Sequence, residues 1–332
     1  MRVCCLDEPG LWAEEVARQG VTVAALGRQS GFRPGLGGQV ARHAREHEAN
    51  VIHAHHYSPF VYSCLARARG TRAGIVFTEH GRLSDAPPSA KRRIANRVLS
   101  RMPRRVFAVS RDLKAHMTGE GFRDDAIDVI YNGIDVGPRP DAGARARARE
   151  WMGVGDDVLV VATIARLDPV KDLGTLIAAC SQISTAVPIL LLVIGDGPER
   201  DHLQQIALAA QPAIAVRFAG HRDDARQWLA GSDVYVNCSV SEGVSLTILE
   251  AMAAGLPVVA TRVGGTPEVI DETCGRFIPS RNPAALAGAI LELSGQPELR
   301  RRLGDGGRAR VEERFTLERM IREYRDVYHE VA

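Results

Sequence analysis

From residue 158 onward the chain alternates short apolar runs with stretches of helical periodicity, and that alternation leaves few folds open. The clearest run, Val158–Ala165, carries no charge at all. It is too short to span a membrane and has the pattern of a strand buried on both faces of a parallel sheet. Further strands are expected near Ile189–Ile194, Val216–Ala219, Val234–Asn237, Pro257–Ala260 and Gly275–Ile278, most of them after a helix. The first half keeps the same rhythm. Strands are expected near Val21–Leu26, Val51–Ala54, Gly74–Thr78, Arg105–Val109 and Ile127–Ile130, separated by helices near 12–19, 37–48, 59–69, 89–101 and 111–119. Strands joined in this way by crossover helices form doubly wound α/β sheets. The Gly- and Pro-rich stretch Asn132–Pro140 breaks the rhythm and marks a domain boundary. The expected division is residues 1–138, residues 139–315, and a helical tail at 316–332 packing back on the first domain. Two such sheets face each other across a cleft in this reading, with ligands at the carboxyl ends of the strands.

Composition narrows the class. With 332 residues, 45% hydrophobic and 25% charged, the chain suits two globular domains rather than a disordered or membrane-spanning protein. Residues Met1–Gly10 lack an apolar core and reach Asp7 and Glu8 at once, unlike a signal peptide. The reading is cytoplasmic. The six cysteines, at 4, 5, 64, 180, 238 and 274, show no paired zinc spacing and read as free buried thiols. Charge is uneven: residues 1–138 hold 20 Lys+Arg against 14 Asp+Glu, or +6, and the remainder holds 22 against 26, or −4. The excess gathers in the segment 91–105, with Lys91, Arg92, Arg93, Arg97, Arg101, Arg104 and Arg105 beside Ile94, Val98 and Leu99. A solvated helix accounts for this, as does a patch that docks on an anionic membrane surface.

Four features fall on loops that follow strands of the second half. Arg166 and Lys171 bracket the turn after the first strand, where two cations could clamp a diphosphate; only three lysines exist in the chain. Gly195-Asp196-Gly197 suits either close approach to a ligand or a tight turn for its own sake. Gly220 and His221 end another strand, at a nucleobase edge or in an ordinary surface turn. The fourth is the strongest. Glu242-Gly243-Val244-Ser245-Leu246 leads into a helix starting near Ser245, whose free N–H groups make an anion site. Glu250 points into the same cleft about one and a half turns on, so the two carboxylates flank a phosphate site and suit hydroxyl recognition. In the first half, His53, His55 and His56 end a strand; alternation sends the first two to one side and His56 to the other, with no carboxylate close in sequence. A metal site there is the weaker alternative to a lining of the cleft.

The segment from Glu242 to Thr261 resembles the retaining glycosyltransferases of family 4, with a Glu-x7-Glu pair followed by Ala251-Met252-Ala253-Ala254-Gly255-Leu256-Pro257-Val258-Val259-Ala260-Thr261. Gly264-Gly265-Thr266-Pro267-Glu268, the Arg166 and Lys171 pair, Thr78-Glu79-His80-Gly81-Arg82, Ala108-Val109-Ser110 and Val129–Asp135 extend the likeness over nearly the whole chain, closest to the bacterial exopolysaccharide and lipopolysaccharide branch. The resemblance implies a GT-B fold and sugar transfer from a nucleoside-diphosphate sugar, UDP or GDP, to a glycan or lipid-linked acceptor, with no cofactor and no metal. It implies that Glu250 holds the ribose, that Arg166 and Lys171 neutralise the leaving diphosphate with the amides of Gly243, Val244, Ser245 and Leu246, and that Glu242 meets the donor sugar. Asp196, Gly220 and His221 complete the donor side, His80 reaches the sugar from the first domain, and His53 and His55 line the acceptor side. The opening Met1–Leu6 is similar to the family's second strand, so a first strand–helix unit is missing from the pattern and the first sheet is expected to be short of a central strand. That departure keeps an inactive nucleotide-sugar-binding protein as the alternative. A sugar epimerase of the same fold is a weaker one, and an oxidoreductase is disfavoured because position 200 is Arg where a dinucleotide fingerprint needs its third glycine.

Overall fold

The computed structural model describes residues 1–10, 12–82, 88–210 and 214–332. They form two units, one comprising Met1–Val109, Leu113–Ile130 and Glu323–Ala332, the other Ser110–Asp112 and Tyr131–Arg322. The division falls after Ile130, ahead of the Gly- and Pro-rich stretch, so residues 131–138 pack with the second unit. Packing is the reason. Ile134 is buried and bridges Thr316, and with Tyr131 and Val136 it joins a core cluster of the second unit. A side chain at Gly133 would sit 2.3 Å from the Thr316 carbonyl oxygen, so the chain must be glycine there to lie this close.

The first unit runs β1 (Arg2–Cys5), α1 (Ala13–Arg18), β2 (Thr22–Ala25), α2 (Gly35–Glu46), β3 (Val51–His55), α3 (Tyr57–Ala68), β4 (Gly74–Glu79), α4 (Ala90–Leu99), β5 (Arg105–Ala108), α5 (Arg111–Gly119) and β6 (Ile127–Val129). All pairings are parallel, but they make two sheets, β1–β2 and β3–β4–β5–β6. β1 and β3 are both edges among the described residues. Burial follows this order: β4, flanked on both sides, is buried throughout, whereas β1 is mostly exposed. Stacked Phe60 and Phe77, with ring centroids 4.3 Å apart, anchor the core between α3 and the sheet.

The second unit holds α6 (Ala142–Met152), β7 (Leu159–Ile164), α7 (Leu173–Cys180), β8 (Ile189–Ile194), α8 (Arg200–Ala210), β9 (Ala215–Gly220), α9 (Ala225–Leu229), β10 (Val234–Asn237), α10 (Leu246–Ala253), β11 (Val258–Thr261), α11 (Thr266–Val269), β12 (Gly275–Ile278), α12 (Pro283–Ser294), α13 (Pro297–Arg314) and the start of α14 (Leu317–Val331). Its six-stranded parallel sheet has the order β12-β11-β10-β7-β8-β9. The chain builds outward from β7 on one side and from β10 on the other. The order therefore reverses between β7 and β10, and the loops leaving those two strands frame the crevice where ligands bind in such sheets.

The end of α14 belongs to the first unit. Tyr324 and Tyr328 bring their hydroxyls to Thr78 Oγ1 at 3.1 Å and His53 Nδ1 at 2.6 Å, and Arg105 donates to Glu330. All six cysteines are free; Cys64, Cys180, Cys238 and Cys274 are buried, but Cys4 is exposed and Cys5 partly so, because β1 is an edge strand. Among the described residues no helix is long and apolar enough to cross a membrane.

Candidate active site

The loops after β7 and β10 meet at one ion pair. Lys171 Nζ donates to Glu242 Oε1 at 2.6 Å, and the same oxygen accepts from Ser239 Oγ at 2.8 Å and Asn237 Nδ2 at 3.2 Å. Glu242 is only 9% exposed and Lys171 22%, so the pair is largely out of water. Such a carboxylate is tolerable only with this many donors. Two further contacts staple the loops together: Val240 N–H donates to the Val170 carbonyl at 2.9 Å, and Cys238 Sγ lies 3.2 Å from the Lys171 carbonyl oxygen. Burial pushes the Cys238 thiol up to about 12, so it stays protonated and acts as a donor rather than a nucleophile.

The Glu242 backbone is held by Gly264 and Gly265. Gly265 N–H donates to the Glu242 carbonyl at 3.1 Å, and a side chain at Gly264, whose φ is +52°, would stand 1.8 Å from that oxygen. Asn132 Nδ2 donates to the Val244 carbonyl at 3.2 Å, so the next part of the loop is fixed by its carbonyls. The N–H groups of Gly243, Val244 and Ser245 have no partner among the described residues, and they stand just before the first turn of α10. Fixed amides beside a lysine form a preorganised anion cradle. Beneath them, buried Tyr235 places its hydroxyl 2.7 Å from Thr247 Oγ1 and 3.2 Å from the Ile164 carbonyl oxygen, bracing α10 against the end of β7.

Glu250 follows on α10. Burial raises its pKa against the opposing charge of Arg226, and its carboxylate has no hydrogen-bond partner among the described residues. A half-buried acceptor without a donor suits ligand hydroxyls. Arg166 is different: its side chain is 74% exposed, with Asp168 at 3.8 Å as its nearest acidic partner, so it is not fastened to the Lys171 and Glu242 pair.

The weaker motifs divide. At Gly195-Asp196-Gly197, Cβ atoms would fall 1.9 Å from the Ala165 oxygen and 2.4 Å from the Leu167 oxygen. These glycines allow close approach of the protein's own 165–167 turn, so the tight-turn reading explains them. Asp196 accepts from Gly197 N–H and pairs with Arg200, which together hold its carboxyl below the usual range. The Gly220 carbonyl accepts from Gly195 N–H at 2.8 Å, while His221 is exposed beside Asp223 at 3.2 Å.

In the first unit the histidines form one cluster. His53 and His55 ring centroids are 4.0 Å apart, His55 Nδ1 lies 2.8 Å from His80 Nε2, and His53 Nε2 lies 2.8 Å from Thr78 Oγ1. Burial pushes His53 down to about 3 and His80 down to about 4, with the neighbouring imidazoles adding to the effect. Two expectations fail here. His56 is not sent to the opposite side, because its φ of +72° breaks strand alternation and leaves its ring 5.1 Å from that of His80. A carboxylate does lie close: the pairing of β3 with β4 puts Glu79 Oε1 2.9 Å from His56 Nδ1. Separation in sequence hid this contact, as it hid those of Tyr235 and the two tyrosines of α14; Asn237 and Ser239, close to Glu242 in sequence, were simply not singled out. Glu268 was also missed in its role; it accepts from Tyr131 Oη at 2.8 Å and from the N–H groups of Arg111 and Asp112.

Two units built on parallel α/β sheets are the parts of a GT-B fold. The model of the family described as "Glycosyltransferase Family 4" matches residues 1–137, and that described as "Glycosyl transferases group 1" matches residues 158–296. The N-acetyl-alpha-D-glucosaminyl L-malate synthase of Bacillus anthracis is 30% identical over 304 residues, covering 89% of this chain and 78% of that protein. A GDP-mannose-dependent phosphatidylinositol monomannoside mannosyltransferase of Mycolicibacterium smegmatis is 30% identical over 303 residues, covering 83% and 75%. Anabaena HepE solved with UDP-glucose superposes with a TM-score of 0.88 at 24% identity, over 99% of this chain and 91% of that one. The chain belongs to glycosyltransferase family 4 and is a transferase enzyme.

Proposed function

We propose that this enzyme moves a hexosyl group from a nucleoside-diphosphate sugar, UDP- or GDP-linked, to a glycan or lipid-linked acceptor in cell-surface polysaccharide synthesis, with retention at the anomeric carbon and without metal. One observation carries the donor half: where the strand order reverses, Lys171 bonds Glu242, the next three amides have no hydrogen-bond partner among the described residues, and neither has the Glu250 carboxylate on the following helix. In this reading the cradle takes the diphosphate and stabilises the charge that develops as the glycosidic bond loosens. Arg166, free to move, folds onto the same phosphates. Glu250 accepts the ribose hydroxyls, and Glu242, oriented by its three donors, meets the sugar. The UDP-glucose complex of the similar Anabaena HepE supports uracil as the base. Without a carboxylate assigned as nucleophile, the leaving diphosphate itself takes the acceptor proton in a front-face displacement.

Calorimetric titration with UDP, GDP and ADP tests this. One nucleotide should bind, and Glu250→Ala should weaken it about 10- to 100-fold, the worth of hydrogen bonds to a charged group. The Glu250 pKa is raised, so the carboxylate form is lost earlier than usual as pH falls, and nucleotide affinity should drop on the acid side. By the same sign a raised carboxylate pKa disfavours the folded state at neutral pH, so the variant should melt no lower than the parent. Equal UDP affinity in parent and variant would remove Glu250 from the ribose.

We also place the enzyme at a membrane surface. On α4, Ile94 is 67% and Val98 56% exposed, one turn apart, and Lys91 lies about one turn before Ile94, while Asn96 is buried. Co-sedimentation should be strong with phosphatidylcholine vesicles containing phosphatidylglycerol and weak with phosphatidylcholine alone, since each basic residue near an anionic surface adds about 1 kcal/mol. No difference between the two vesicles would remove this surface from the account.

A further inference from the structure

In the imidazole cluster of the first unit a single ring is hydrogen-bonded to a carboxylate. Four rings, His53, His55, His56 and His80, lie at the carboxyl ends of β3 and β4, where α/β sheets bind ligands. Glu79 bonds one of them alone, His56, and is fastened by the His80 N–H at 3.1 Å on the same oxygen. The other rings are kept neutral by burial and by one another, while the bond to Glu79 raises the pKa of His56. His56 is also the outermost: its side chain is 58% exposed, against 6% for Glu79. Its Nε2 has no partner among the described residues. A positive φ at a non-glycine residue is uncommon, and here it keeps this ring with the cluster.

We propose that the cluster is an acceptor subsite for an anionic group, a carboxylate or a phosphate monoester, bound by the outward Nε2–H of His56 with His55 and His80 as neutral neighbours. The assignment to the acceptor rests on the sugar-transfer reading above. An imidazolium pinned on one side by a buried carboxylate presents its second N–H as a charge-assisted donor in fixed direction. The excess of six positive charges over residues 1–138 favours the approach of an anion. Glu79 on β4, His55 on β3 and His80 after β4 are the titratable groups facing His56, and Glu79 alone of these favours its charged form. Binding therefore requires His56 protonated. It is strongest below the His56 pKa, which lies above the ordinary imidazole value, and is lost as pH rises through it.

The test titrates the full chain with sulfate, standing for a phosphate monoester, and with succinate, standing for a carboxylate. Ring resonances of His55, His56 and His80 are followed by NMR from about pH 6 to about pH 8.5. The expected result is a saturable shift with one anion or both, weakening at least about tenfold across that range. In His56→Asn, which carries no charge and no second ring nitrogen, the shifts at His55 and His80 should vanish. In Glu79→Gln they should weaken near neutrality and recover in acid, where the unaided imidazole still protonates; a merely structural loss would not recover. No shift at His56 with either anion, or undiminished binding in His56→Asn, overturns the subsite. UDP titration of the same samples keeps the two readings apart, because a parent chain that binds the anion but not UDP refutes the donor site instead.

Discussion

Replacing Lys171 with methionine is expected to lower kcat by about 10²- to 10³-fold, the usual cost of removing one preorganised group facing developing charge. The ammonium does two things at once. In the proposed site it faces the diphosphate, and its 2.6 Å bond to Glu242 supplies the one full positive charge among that carboxylate's three donors. Methionine keeps the length and apolar stem but leaves Glu242 with two neutral donors in a site it occupies at 9% exposure. Breaking a buried pair from one side costs about 3–5 kcal/mol, and the partial exposure of Lys171 places this variant at or below the lower end. Release of UDP from the donor sugar measures the first effect and thermal unfolding the second. Lys171→Arg should recover stability better than turnover, because a planar fork cannot take the place of a compact ammonium. A kcat within about threefold of the parent would show that Lys171 does not face the leaving group.

Gly264→Ala should damage the fold itself. The new methyl would stand 1.8 Å from the Glu242 carbonyl oxygen, and that oxygen cannot retreat because Gly265 N–H holds it at 3.1 Å. The φ of +52° adds a penalty for any side chain. Strain of about 1–3 kcal/mol from the backbone and a similar amount from the clash give a loss of about 3 kcal/mol or more. For a unit of this size that lowers Tm by about 6–12 °C. Gly288→Ala is the matched control. It lies inside α12 with nothing within 4 Å of the added carbon, so it should stabilise by about 0.5–1 kcal/mol. If both variants melt together, the close approach at Gly264 is not what holds the loop.

Much of this site is legible before folding. Glu242, Gly243, Ser245 and Glu250 sit on one loop and the helix that follows it, close enough in sequence for their proximity to be read directly. Lys171 is conspicuous as one of three lysines and by its place after an apolar strand. Its partner is not legible, since nothing local says that residues 71 positions apart share a proton. The first unit shows the same limit more sharply. Alternation sends His56 away from His55, yet one positive φ at residue 56 returns it, and a carboxylate 23 residues on becomes its neighbour through strand register. The glycines at 195 and 197 mislead in the other direction, inviting a ligand where the chain's own 165–167 turn already lies.

The order and kind of the elements follow from the sequence alone, because hydrophobic periodicity is local: apolar runs bounded by glycine and polar turns are strands wherever they occur. The place of Glu250 on α10 and the free amides before that helix follow for the same reason. Strand order, and with it the meeting of the loops after β7 and β10, was decided by packing across the whole unit. So were the placement of residues 131–138 on the second core and of the last turns of α14 on the first sheet. Those arrangements balance burial over long sequence separations, and the Lys171–Glu242 and His56–Glu79 pairs exist only once that balance has been struck.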